Sequence, residues 1–167
     1  LRALPFSGNG STLTYDVPDK PAPADNLPRA RFNTAEEASF RTMGIPLLRG
    51  RGIDARDTAD SPPVVVVSQQ MVDQSWPGQD PIGKTIRVMG TPPITAQVVG
   101  VVGDIRHFAL DEPELPFVYA AQAQQPHIFN TLVVRTEGDP MALAPLVRSA
   151  VWSVDRDQPV WKIRTQE

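Results

Sequence analysis

The chain has 167 residues, 41% of them apolar, with 16 Lys and Arg against 19 Asp and Glu. That is enough apolar side chain to bury a core, which rules out a wholly disordered chain, and the lack of a basic excess argues against a nucleic-acid binder. There is no Cys, so disulfides, thiolate metal sites and cysteine nucleophiles are excluded, and the 18 Pro, about twice the usual share, cut the chain into short elements.

In chain order, residues 1–27 read as mostly irregular, with a short strand over 11–15, because the run Pro18-Asp19-Lys20-Pro21-Ala22-Pro23 resists helix. A strand is expected over 29–33. Thr34 reads as the N-cap of a helix over 35–43, with Glu36 and Glu37 in its first turn and Gly44 as its stop. Residues 49–62 are charged and turn-rich. The run Val64-Val65-Val66-Val67 reads as a strand covered on both faces, followed by a short helix over 69–75 that closes at Trp76-Pro77-Gly78. Residues 84–89 alternate as a half-buried strand, and 94–103 form another, with Gly100 and Gly103 marking a bend or a close backbone approach. A loop over 104–116 leads to a strand over 117–121. The last segment reads as strand (130–136), helix opened by Asp139-Pro140, and strand (159–165). Leu143, Leu146, Val147, Ala150, Val151 and Val154 fall at helical spacing, and the stripe is expected to pack inward. The fold class is therefore mixed α/β, of the α+β kind.

Several motifs invite chemistry. Gly78-Gln79-Asp80-Pro81-Ile82-Gly83-Lys84-Thr85 satisfies the phosphate-cradling pattern G-x-x-x-x-G-K-[ST]. Such a loop must follow a buried strand and open a helix. Here a helix precedes it, a strand follows it, and Pro81 deletes an amide, so it reads as a tight turn. His107 and His127 lack metal-ligand spacing, and a hydrolase built on His107 and a nearby carboxylate is a distant reading. Asp54, Asp57 and Asp60 lack the spacing of a calcium loop and read as a solvated turn balanced by Arg49, Arg51 and Arg56. Trp152 and Trp161 read as core or half-buried. Trp76, beside Pro77-Gly78, is the one weak candidate for a partner-binding surface residue. No catalytic, cofactor or metal site is expected, and no cofactor.

Five blocks taken together resemble one family. Ser39-Phe40-Arg41-Thr42-Met43-Gly44-Ile45-Pro46-Leu47-Leu48-Arg49-Gly50-Arg51 is similar to its aromatic-led signature, with Ser39 in place of the usual Tyr. Pro63-Val64-Val65-Val66-Val67-Ser68, followed by Trp76-Pro77-Gly78-Gln79-Asp80-Pro81-Ile82-Gly83-Lys84, resembles its central block, with Ser68-Gln69 where Asn-Glu is usual. The stretch 98–106, then Val133-Val134-Arg135-Thr136 with Gly138-Asp139-Pro140, and finally 154–165 complete the series in order. These are marks of the extracytoplasmic (periplasmic core) domain of MacB/FtsX-type ABC transporter permeases, and they cover about 30–167.

The resemblance implies a porter-like β-α-β lobe formed by 28–48 plus 117–167, with a smaller mixed α/β lobe inserted at 49–116, after an irregular N-terminal segment, 1–27. It implies a chain starting at Leu1 that is part of a longer protein and lacks some of the porter-like lobe. The parent would be a permease, acting as a dimer at the bacterial inner membrane and served by a separate cytoplasmic ATPase. This domain would lie on the extracytoplasmic side, make no bonds itself, and relay ATP-driven motion to a periplasmic adaptor or substrate. Residues 50–52 and 111–116 would be the hinges. The alternative is a module holding a small molecule, peptide or lipoprotein between its lobes.

Overall fold

A computed structural model describes residues 11–105, 115–127 and 130–165. Its contacts divide the chain into two units, Leu1–Val133 and Val134–Glu167.

The first unit carries β1 (Ser11–Asp16), β2 (Arg29–Ala35), α1 (Ser39–Met43), β3 (Leu47–Gly50), β4 (Val64–Ser68), α2 (Gln69–Ser75), β5 (Thr85–Met89), β6 (Ile94–Val102) and β7 (Phe117–Ala121). All seven strands belong to one sheet, in the order β3-β6-β4-β7-β2-β1-β5, and β5 pairs back onto β6. The pairings β6–β4–β7–β2–β1–β5–β6 therefore close into a six-stranded ring. Two pairs are parallel, β2 with β7 and β4 with β6; the others are antiparallel. Closure depends on the length of β6, which at nine residues accepts two strands end to end. On one edge, β5 lies beside Ile94–Gln97 and β3 beside Gly100–Val102.

Strand periodicity decides what fills the ring. Tyr15, Ala30, Phe32, Val65, Val67, Ile86, Val88, Ala96, Val98, Val101, Val118 and Ala120 form one buried cluster with contributions from all six ring strands. Met71 and Val72 of α2, and Trp76 just after it, join that cluster, so α2 plugs the ring. The alternate residues Ala35, Val64, Val66, Val102, Phe117, Tyr119 and Ala121 form a second cluster under Phe40 of α1, Ile45 and Ile53. Every residue of β4 is thus buried, as its unbroken valine run predicts. Ser68 joins the layers: its hydroxyl accepts from the Met71 amide at the start of α2 and from the Phe117 amide of β7, at 3.4 and 3.0 Å.

Several sequence expectations are corrected here. Thr34 caps no helix. It is a buried residue of β2, its hydroxyl bonded to Gln122, and α1 starts later, where Ser39 Oγ accepts from the Glu36 amide at 2.8 Å. Pairing with β7 through Ala35 holds this stretch extended past the point where capping chemistry favours a helix. Gly44 ends α1 in the left-handed region (φ 69°), as read. The division at 48/49 and 116/117 does not follow the sheet. Strands β4, β5 and β6 from 49–116 supply half of the ring and bond directly to β7 and β1.

In the second unit, a 3-10 turn, Pro140–Leu143, precedes α3 (Ala144–Val154), and Asp139 caps the turn by accepting from the Met141 amide at 2.9 Å. The expected strands over 130–136 and 159–165 are not formed, because a strand needs a partner backbone and neither segment has one among the described residues. The helix stripe does not pack inward: α3 has no buried residue, with Leu146 66% and Val154 90% exposed. Trp152 and Trp161 are also exposed rather than core. The Trp152 indole donates to the Gln158 carbonyl, and Arg148 and Lys162 lie over Trp152 and Trp161.

Candidate functional site

The plugged end of the ring brings three features together: the strap after β3, the end of α2, and the turn over 78–84 that feeds β5. Their meeting point is a bulge in β6. Val65 faces Val98 and Val66 faces Gly100, so Val99 is extra and its carbonyl leaves the ladder with β4. The Arg51 amide donates to that carbonyl at 2.9 Å. A Cβ on Gly100 would lie 1.9 Å from the Arg51 carbonyl oxygen, so only glycine permits the strap to sit this close. This is the close approach expected at Gly100 from its place in an apolar strand.

Arg51 then anchors the strap to the loop behind it. Its guanidinium donates to both oxygens of Asp57, at 2.7 and 2.8 Å, and to the Gly52 carbonyl and Asp54. Asp57 is buried and also accepts from the Asp54 amide. The Arg51 hydrogen bonds hold the Asp57 carboxyl below the usual carboxylate range, against the opposing effect of burial. Arg56 does the same for Asp54 through its side chain and its amide. Arg51 and Arg56 therefore balance these carboxylates as expected. Arg49 instead turns to α2 and donates to Gln69 at 3.0 Å, and Gln69 donates on to Asp73. Asp60 is exposed and stands outside the network. Among the described residues no group of His, Asp and Glu converges as a metal site.

The turn over 78–84 sits after a helix and before a strand, the order read from the sequence. Gly78 and Gly83 adopt positive φ, the Gly83 amide donates to the Val98 carbonyl, and Lys84 reaches Asp19 at 3.5 Å. Between this turn, α2 and β3 runs an open groove of about 760 Å³ lined by Arg49, Gly50, Gln69, Val72, Asp73, Gly78, Gln79, Asp80 and Ile82.

Trp76 does not contribute a surface. It is 2% exposed, packed into the ring interior, and its indole N–H has no hydrogen-bond partner among the described residues. The Pro-Gly turn after it is exposed; the helix end before it is not, and the sequence cannot separate the two. Sequence reasoning missed β3. Its one signal was the apolar pair Leu47-Leu48 between Pro46 and Gly50, hidden within a charged segment. His127 is half-buried in a loop, and the Asn130 side-chain Nδ2 donates to its backbone carbonyl at 2.7 Å. His107 and most of the expected hinge over 111–116 lie outside the described residues.

The comparisons with known proteins agree on one family. The model of the MacB-like periplasmic core domain matches residues 5–147. The chain belongs to this family. It is thus of the kind found as the extracytoplasmic part of MacB-like ABC transporter permeases, as the sequence blocks implied. Macrolide export ATP-binding/permease protein MacB of Neisseria gonorrhoeae is 33% identical over 100 residues, 60% of this chain, and the MacB of Neisseria meningitidis matches equally. The match spans only 14% of the length of those relatives. The fold resembles the periplasmic region of MacB from Actinobacillus actinomycetemcomitans, with a TM-score of 0.60 at 18% identity over 87% of this chain and 64% of that one. It also resembles the extracellular domain of the ABC-type transporter YknZ from Gram-positive bacteria, with a TM-score of 0.52 at 16% identity over 84% and 65%. Mixed α/β architecture was therefore the correct fold class. No helix among the described residues is long and apolar enough to cross a membrane.

Proposed function

We propose that this MacB-like periplasmic core domain is a rigid extracytoplasmic relay. ATP hydrolysis in a separate cytoplasmic domain moves the membrane helices of a dimeric parent permease at the bacterial inner membrane. The domain passes that displacement to a periplasmic adaptor or substrate and makes no bonds itself. The observation that carries the reading is ring closure. A six-stranded ring filled by one core and plugged by α2 moves as one body, because close-packed interiors transmit strain rather than absorb it. The strap over 50–52 is a proposed flexing point, and its ties to Val99 and Asp57 set how freely it moves. The rival binding module needs an enclosed apolar cavity. The groove beside β3 is open and rimmed by charged and amide side chains, which favours the relay.

The test is a reversible lock in the full-length transporter. Gly52→Cys with Phe40→Cys puts one thiol on the strap and one on α1, where a Cβ on Gly52 would lie 3.8 Å from Phe40 Cδ2, and mass spectrometry of the oxidised protein first verifies that the two thiols are bridged. Oxidation is expected to leave ATPase activity running while transport falls, and reduction to restore transport. Unchanged transport in the oxidised protein refutes the relay.

A further inference from the structure

Ring closure leaves one strand in an unusual position. Each of the six ring strands has hydrogen-bonded neighbours on both sides. Strand β3 bonds only to β6, and it is the one strand with a single ladder partner among the described residues. All four of its residues are exposed, with Leu47 and Leu48 at 47% and 48%. Proteins usually blunt such an edge with charge, or cover it. Here two large apolar side chains stand beside bare backbone, and the groove running from β3 to α2 and the turn adds the exposed Ile82.

The rim has a sign. Two carboxylates stand against one guanidinium: Arg49 donates to the neutral Gln69 and keeps its charge, while Asp73 and Asp80 are exposed and, among the described residues, accept one hydrogen bond each, from Gln69 and from the Ile82 amide. Each carboxylate keeps acceptor capacity toward solvent. Gly50 keeps the groove floor as bare backbone, because a Cβ there would meet the Val99 carbonyl at 2.3 Å.

We infer that the free edge of β3 accepts an extended, basic polypeptide segment, which adds to the sheet as a further strand. Backbone hydrogen bonds supply the affinity, Leu47 and Leu48 supply an apolar contact, and Asp73 and Asp80 select positive charge. A four-residue ladder is short, so the contact is weak and reversible, as a cycling machine requires. The inference does not rest on the relay: binding is read on this chain without ATP hydrolysis.

The probe is an alternating Lys-Val octapeptide, compared with its alternately N-methylated form and with a Glu-Val octapeptide, followed by amide NMR shifts of the chain. The Lys-Val peptide is expected to shift residues 47–50 and the α2 side of the groove. N-methylation, which removes ladder donors, and the Glu-Val sequence should each weaken binding by about tenfold or more. Leu48→Lys should abolish binding without changing the melting temperature, and Asp73→Asn with Asp80→Asn should weaken it while keeping the local acceptors. Equal binding of the N-methylated peptide, shifts that map elsewhere, or no binding at all overturns the proposal. A dimer in sedimentation that Leu48→Lys dissolves also overturns it, in favour of a second copy on this edge.

Discussion

Gly100 shows how one missing side chain sets the geometry of the strap. Gly100→Ala drives a methyl into the Arg51 carbonyl, a backbone atom that cannot rotate away, and is expected to cost about 3 kcal/mol in urea unfolding. Gly138→Ala, where a Cβ meets nothing within 4 Å, should be close to neutral in the same assay. The Arg51–Asp57 pair makes a different prediction. Its hydrogen bonds lower the Asp57 carboxyl in the fold relative to the unfolded chain. The resulting stability is fully present above the unfolded value, about pH 4, and is lost as pH falls through the folded one. Asp57→Asn should be less stable at neutral pH, and its stability should fall less between pH about 5 and 2. Gly100 was legible in the sequence because glycine inside an apolar strand already signals close approach. The Arg51–Asp57 pair was legible only as local charge balance, since burial of Asp57 depends on how the loop folds back.

Elements were legible where a pattern belongs to the segment and illegible where it needs a partner. The valine run of β4, the alternation in β5 and the Gly44 stop of α1 are local signals, and the structure follows them. The alternation in 130–136 and 159–165 states only that a pleated surface would suit them; no ladder forms without a neighbouring strand. The reverse error hid β3, whose partner β6 lies about 50 residues further along the chain. Helix α2 and Trp76 test the reading of an element as a plug. Trp76→Ala empties the ring end and is expected to cost about 3–5 kcal/mol. Trp76→Phe keeps most of the volume and removes a buried N–H that has no partner among the described residues, so it should cost less than about 1.5 kcal/mol. Urea midpoints for the two variants decide it; equal, small losses would mean that the indole does not fill the core.

At the scale of the whole molecule, closure could not be read from composition or periodicity. It depends on β6 being long enough to hold β5 and β3 end to end, and on β5 also reaching β1. A ring has a consequence for dynamics that an open sheet lacks: no ring strand can peel away without breaking two ladders. Amides of β4 and β7, which are buried and paired on both sides, should exchange with solvent only through global unfolding. The helix α3 has no buried residue, so its amides should exchange through local opening at a far lower free energy. Residue-resolved hydrogen exchange across a series of low denaturant concentrations separates the two regimes. Strand amides should rise with denaturant along the global slope, and α3 amides should show little dependence. If α3 exchanged on the same slope as β4, the two units would unfold as one, and rigidity could not be assigned to the ring alone.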